Sequence, residues 1–178
     1  KGLRSGNIRE RTVYPLKIYA STQTGRQYLL CYAYQVRHLV FIRVDTIRKV
    51  VPGNVEKKHE VYAGYFNKFR DHLWGVSVGP GYSMDHIEMT IRVDEGEGHI
   101  PQRLEREKRN GRVQQIDENT YLFSADVYDA AEMLPWLRTF IGRIIKLECS
   151  NQSVVDTFYA DLDAMIRMTE VMTMLFSE

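Results

Sequence analysis

Arg43 and Asp45 stand two residues apart in Phe41-Ile42-Arg43-Val44-Asp45-Thr46-Ile47, a stretch otherwise dominated by aliphatic and aromatic side chains. A guanidinium offers two parallel N–H donors to a phosphate or carboxylate, and a tyrosine or phenylalanine ring offers a flat face to a base. Side chains alternate along a strand, so Tyr28, Leu30, Tyr32 and Tyr34 share one face and Leu39, Phe41, Arg43 and Asp45 another. A hairpin around Gln35 joins these two faces and leaves Leu29, Cys31, Ala33, Val40, Ile42 and Val44 as a core. With Arg9, Arg11 and Lys17 on a neighbouring strand, the candidate ligand-binding set is Arg43, Tyr28, Asp45, Phe41, Tyr32, Lys17, Arg11 and Arg9. That composition suits a nucleotide or a single-stranded nucleic acid, with Asp45 orienting Arg43 or accepting a hydrogen bond from the ligand. Periodicity equally allows Tyr28, Tyr32 and Phe41 to pack under a helix while Arg43 pairs with Asp45.

Charge points the same way. The formal net charge is +1, yet residues 1–75 carry 14 Lys+Arg against 5 Asp+Glu and the remainder 10 against 18. The first part is built to meet an anion. A basic and an acidic domain attracting each other across their interface would produce the same asymmetry.

The elements that must position these residues can be read in outline. Residues 1–53 read as strands and tight turns. Arg9–Ala20 sets Tyr14, Leu16 and Ile18 against Arg9, Arg11 and Lys17, Ser21–Gly25 is a turn, and Pro52-Gly53 closes the last strand. Several short strands with little helix predict a small SH3-like or Sm-like β-barrel. Val61, Tyr65, Phe69 and Leu73 fall at helical spacing, which predicts one helix over 60–73 lying across the barrel. Gly79-Pro80-Gly81 interrupts both helix and sheet and marks a boundary between domains at 1–78 and 82–178.

Beyond it the pattern is strand, helix, strand, strand, helix, strand, helix. Ile87, Met89, Ile91 and Val93 alternate, Pro101 starts a helix and Gly111 ends it, and Glu118-Asn119 centres a hairpin. Asp129 and Glu132 have capping-box spacing, and Gly142 ends the helix that follows. The βαββαβ order predicts a ferredoxin-like domain, and the whole chain is expected to be α+β. A last helix starts near Asn151, buries Val154, Val155, Phe158, Leu162, Met165 and Ile166, and continues as an apolar stripe of Met168, Val171, Met172 and Leu175. Such a stripe predicts a homodimer, or a fold back onto the helix at 60–73.

A hydrophobic fraction of 44% over 178 residues is enough to bury a sizeable core. No run approaches the roughly 18 apolar residues of a membrane span. Two cysteines, Cys31 and Cys149, make no disulfide framework, so a reducing cytoplasm is the expected compartment. His38, His59, His72, His86 and His99 include no metal-binding pair spacing, and no metal or cofactor is expected. The chain carries no G-x-S-x-G, no P-loop and no G-x-G-x-x-G, and Gly96-Glu97-Gly98 is a plain turn. A binding protein is expected, not an enzyme.

The order Pro15-Leu16, Gln27-Tyr28-Leu29, then Phe41-Ile42-Arg43-Val44-Asp45-Thr46-Ile47 resembles the WYL domain of bacterial transcriptional regulators. Gln27 replaces the tryptophan of that pattern and Thr46 replaces its second arginine. Trp136, Phe140, Gly142 and Ile144-Ile145-Lys146-Leu147-Glu148 resemble the C-terminal extension that follows such domains. The resemblance implies the ligand-sensing and dimerising region of a regulator that responds to a nucleotide or nucleic-acid-like effector. It also implies an N-terminal winged helix-turn-helix, which residues 1–30 do not carry, since Leu3–Arg11 reads as a hairpin tip. Promoter DNA would then be met only through a separate domain. The alternative is a general single-stranded nucleic-acid-binding module of Sm-like type.

Overall fold

A computed structural model describes residues 8–22 and 24–175 of the chain. The protein is α+β, with a three-stranded and a four-stranded antiparallel sheet and, among the described residues, four α-helices. It divides into two compact units, Lys1–Arg70 and Asp71–Glu178. Gly79-Pro80-Gly81 therefore lies inside the second unit, to whose core Trp74 belongs.

In the first unit β1 (Val13–Ala20), β2 (Gln27–Ala33) and β3 (His38–Arg43) form a meander in the order β1-β2-β3. The third strand stops at Arg43, where a 3-10 turn over Val44–Thr46 takes over, so Asp45 is not a strand residue. Residues 47–58 carry no regular element, where a strand ending at Pro52-Gly53 was expected. Helix α1 (His59–Phe69) follows and passes into a 3-10 turn at Arg70–His72, short of the expected end at Leu73.

Proline decides the faces of β1. It cannot donate to the ladder, and the register shifts between Pro15 and Lys17. Tyr14 faces Tyr32, Lys17 faces Leu30 and Tyr19 faces Tyr28, while Ile18 faces Leu29 on the other side. The expected grouping of Tyr14 with Ile18 is thus broken, and Lys17 joins the aromatic face.

The core expectation is also revised. Helix α1 covers the tyrosine-bearing face, not the small apolar one, and it does so with Tyr62 and Phe66. Val61 and Tyr65, whose helical spacing marks the predicted helix, are 53% and 45% exposed. Leu30 and Leu39 are buried on the helix side of the sheet, and Cys31 and Ala33 on its other face.

The second unit holds β4 (Met84–Arg92), α2 (His99–Glu107), β5 (Arg112–Gln115), β6 (Thr120–Tyr128), α3 (Leu134–Leu137), β7 (Ile144–Cys149) and α4 (Gln152–Leu175). Its sheet runs β5-β6-β4-β7 and every neighbouring pair is antiparallel. Ile87, Met89, Ile91, Phe123, Leu147, Leu104, Phe140 and Phe158 close one core between the sheet and the helices. Gly111 is required where α2 hands over to β5, because a Cβ there would sit 2.6 Å from the Phe123 ring. Asp129 and Glu132 do not form the expected capping box. Asp129 takes a left-handed conformation ahead of a 3-10 turn, and Glu132 accepts a hydrogen bond from the Val76 amide at 3.0 Å.

Helix α4 buries Val154, Val155 and Phe158 as expected, with Leu162 half-buried. Met165 and Ile166, expected in the core, are 49% and 50% exposed because the helix continues past the domain. Met168 and Val171 are exposed as well, and the side chains of Met172 and Leu175 lie outside the described residues. No described helix is long and apolar enough to cross a membrane.

Candidate functional site

Three cross-strand rows on one face of the β1-β2-β3 sheet place the candidate residues. Tyr14, Tyr32 and Leu39 make the first, Lys17, Leu30 and Phe41 the second, and Tyr19, Tyr28 and Arg43 the third. Helix α1 meets the first of these rows through Tyr62 and the third through Phe66. Tyr62 stacks on Tyr32 with centroids 4.2 Å apart and planes at 17°, and it also tilts against Tyr14 at 5.1 Å. The first row is therefore packed under the helix.

A second polar contact fixes that end. Tyr34 donates its hydroxyl to Glu56 Oε2 at 2.8 Å, and Tyr14 donates to the Glu56 carbonyl at 3.3 Å. Lys58 Nζ lies 3.1 Å from the same carboxylate. A hydrogen bond with Tyr62, burial and the charge of Glu56 together push the Tyr34 phenol well above its ordinary range. Hydrogen bonds from Tyr34 and Lys58 hold the Glu56 carboxyl low. These groups tie the 47–58 connection to the sheet.

Phe41 packs edge-on to Tyr19 at 5.9 Å, and Tyr19 tilts against Phe66 of α1 at 5.6 Å. The ammonium of Lys17 stands 5.5 Å from the Tyr19 ring centre, within cation–π range. Burial raises the Tyr19 phenol, and Arg70 opposes the shift, which brings a further guanidinium to this neighbourhood.

The third row ends in the polar pair. Arg43 donates Nε to Asp45 Oδ1 at 3.0 Å and Nη2 to Asp45 Oδ2 at 2.5 Å. The 3-10 turn makes this fork possible by curling Asp45 back, and Thr46 locks the turn by donating its hydroxyl to the Arg43 carbonyl at 2.7 Å. Their side chains are 33% and 58% exposed, so water reaches both. The hydrogen bonds from Arg43 hold the Asp45 carboxyl below the usual carboxylate range, and Arg26 adds a weaker pull of the same sign. Reciprocally, the carboxylate raises the Arg43 guanidinium, with Tyr28 contributing.

The eight candidates therefore separate. Arg43, Asp45 and Tyr28 lie together at the Arg43 end of the sheet, and Lys17 and Phe41 meet through Tyr19. Tyr32 lies under α1. Arg9 and Arg11 are exposed and precede β1, and Arg11 acts on Cys31, which faces away from Arg43. Burial pushes the Cys31 thiol up to about 11, with Arg11 opposing. Sequence reasoning missed Tyr19, Arg26 and Arg70. Tyr19 was hidden by the register shift after Pro15, whereas the arginines carry no signal beyond their charge. Among the described residues no group of three His, Cys, Asp or Glu side chains could hold a metal ion. No protein-family model and no curated protein matches the chain.

Proposed function

We propose that the first unit binds an anionic, nucleotide- or nucleic-acid-like ligand at the Arg43 end of its sheet, and that the chain is the ligand-sensing and dimerising region of a WYL-type transcriptional regulator. The observation that carries this reading is the row Tyr19-Tyr28-Arg43, which sets aromatic faces beside a guanidinium, with Lys17 and Arg26 close by. Phosphate would engage the guanidinium edges and a base would lie on a ring. The unit's 14 Lys+Arg against 4 Asp+Glu would draw such a ligand in.

A three-stranded meander under one helix supports an Sm-like arrangement for the first unit. The strand order β5-β6-β4-β7 supports a ferredoxin-like second unit, since βαββαβ connectivity sets its first strand between the third and the fourth. The exposed end of α4 supports a homodimer. Met165, Ile166, Met168 and Val171 are 49–69% exposed there, while Asp163, Arg167 and Glu170 fall together on the opposite side at helical spacing. Catalysis has no part in the proposal, and promoter recognition falls to a separate domain.

Titrating a labelled short oligonucleotide and a free nucleotide into the chain over a range of salt concentrations tests the reading. Arg43→Ala should weaken binding by about tenfold or more, the worth of a charge-assisted hydrogen bond. Equal binding by the variant would refute the site. Affinity that falls steeply with salt and ignores base identity would favour the general single-strand module instead.

A further inference from the structure

We propose that Asp45 is a built-in competitor for the anion site, occupying the Arg43 fork until a ligand phosphate displaces it. The inference rests on the reading of the Tyr19-Tyr28-Arg43 row as that site. Nε and Nη2 form the edge on which a guanidinium grips a phosphate in two parallel bonds, and Asp45 takes that edge in two parallel bonds of 3.0 and 2.5 Å. A carboxylate in this geometry stands in for two phosphate oxygens. Its charge faces a second guanidinium, Arg26, as a phosphate's would.

An incoming phosphate has a second route, end-on to the Nη1 and Nη2 atoms, but it too must approach the Asp45 charge. On either route the carboxylate lowers affinity. Displacement is easy for a different reason: the pair is exposed, on a three-residue turn, and exposed ion pairs contribute little to stability. The turn itself does not depend on the pair, because the Thr46 hydroxyl bonds the Arg43 carbonyl and the Ile47 amide bonds the Val44 carbonyl. Asp45 can therefore swing away while its backbone stays in place. The consequence is selectivity, since weak monoanions would fail to evict the carboxylate where a polyphosphate or an oligonucleotide succeeds.

The test is anisotropy of a labelled oligothymidylate with the full chain and with Asp45→Asn, Asp45→Ser, Arg43→Ala, Glu60→Gln and the Arg43→Ala/Asp45→Asn pair. Asp45→Asn and Asp45→Ser should each bind about fivefold tighter, the worth of removing one like charge roughly 4 Å away in water. Glu60→Gln removes an acid from the first turn of α1 and should change affinity less than about twofold, as expected for a screened charge. The double variant should bind as weakly as Arg43→Ala. Unchanged or weaker binding by both Asp45 variants would show that the carboxylate positions the guanidinium, and would overturn the competitor while leaving the site intact. A gain that persists without Arg43 would overturn it as a general field effect. If neither the parent nor Asp45→Asn binds at all, the proposal falls together with the functional reading.

Discussion

Replacing Tyr62 by alanine tests the packing that decides which part of the basic and aromatic face is open. Tyr62 is 6% exposed, stacks on Tyr32 at 4.2 Å and touches Tyr14, Tyr34 and Tyr65 at 5.1, 6.4 and 6.1 Å. Truncating a buried aromatic residue to alanine costs about 3–5 kcal/mol, within which each well-placed ring pair contributes about 0.5–1.5 kcal/mol. A unit of this size has a total stability of about 3–9 kcal/mol, so Tyr62→Ala should remove about a third of it or more. The melting temperature of the first unit should fall by about 12 °C or more, or its transition should vanish.

Both tryptophans, Trp74 and Trp136, pack in the core of the second unit, so tryptophan fluorescence reports that unit and leaves the first to circular dichroism. Val61→Ala is the internal control, because Val61 is 53% exposed and should cost within about 0.5 kcal/mol of nothing. Tyr62→Phe keeps the ring, loses only the hydroxyl shared with Tyr34, and should cost about 1 kcal/mol. A loss below about 1 kcal/mol for Tyr62→Ala, or an equal loss for Val61→Ala, would refute the placement of α1 on the tyrosine face. Tyr32 would then return to the candidate ligand surface.

Two further predictions concern the second unit. Hydrogen bonds to Asp126 at 2.8 Å and Glu88 at 3.3 Å raise His86 above the ordinary imidazole value, so its titration by proton NMR should have a raised midpoint that Asp126→Asn brings down. Because the folded value lies above the unfolded one, the stabilisation is complete at pH below the unfolded value and disappears as pH rises through the folded one; an unshifted midpoint would break the argument. For α4, light scattering should find a dimer for the full chain and a monomer after truncation at Arg167; a dimer surviving truncation puts the interface elsewhere, and a monomer in both removes it.

The second unit was largely legible in the sequence because its signals are local and agree with one another. Alternation at Ile87, Met89 and Ile91 marks a strand whose core face is fully buried, and Gly111 and Gly142 stop their segments where a side chain would collide or a left-handed turn is needed. Capping chemistry misled at Asp129, since spacing alone does not say whether a carboxylate will find its own turn or, as Glu132 does, a distant amide. The length of α4 was readable, but not the point at which its apolar face runs out of domain to cover it. Both faces of the first sheet are apolar enough to be core, and both carry buried residues, so the sequence does not say which of them α1 covers.

The candidate site depended on a detail that period-two reading cannot supply. One bulge residue after Pro15 reverses every later side chain of β1, and this single shift carries Lys17 and Tyr19 onto the face of Arg43. Had the strand continued in register, Ile18 would lie beside Tyr28, and the end of the sheet would offer an arginine with an aliphatic neighbour. The break in β3 works in the same direction. By leaving the ladder at Arg43, the chain turns Asp45 from a residue two positions along a strand into a partner held in the guanidinium fork. A basic, aromatic row with its own counter-charge thus arises from two irregularities, a proline in one edge strand and a 3-10 turn ending the other. Deleting Leu16, the unpaired bulge residue, should leave Lys17 opposite Leu30 and Tyr19 opposite Tyr28 in a regular ladder, so ligand binding should survive the deletion; loss of binding with the fold intact would show that the site needs the bulge itself and not only the row it creates.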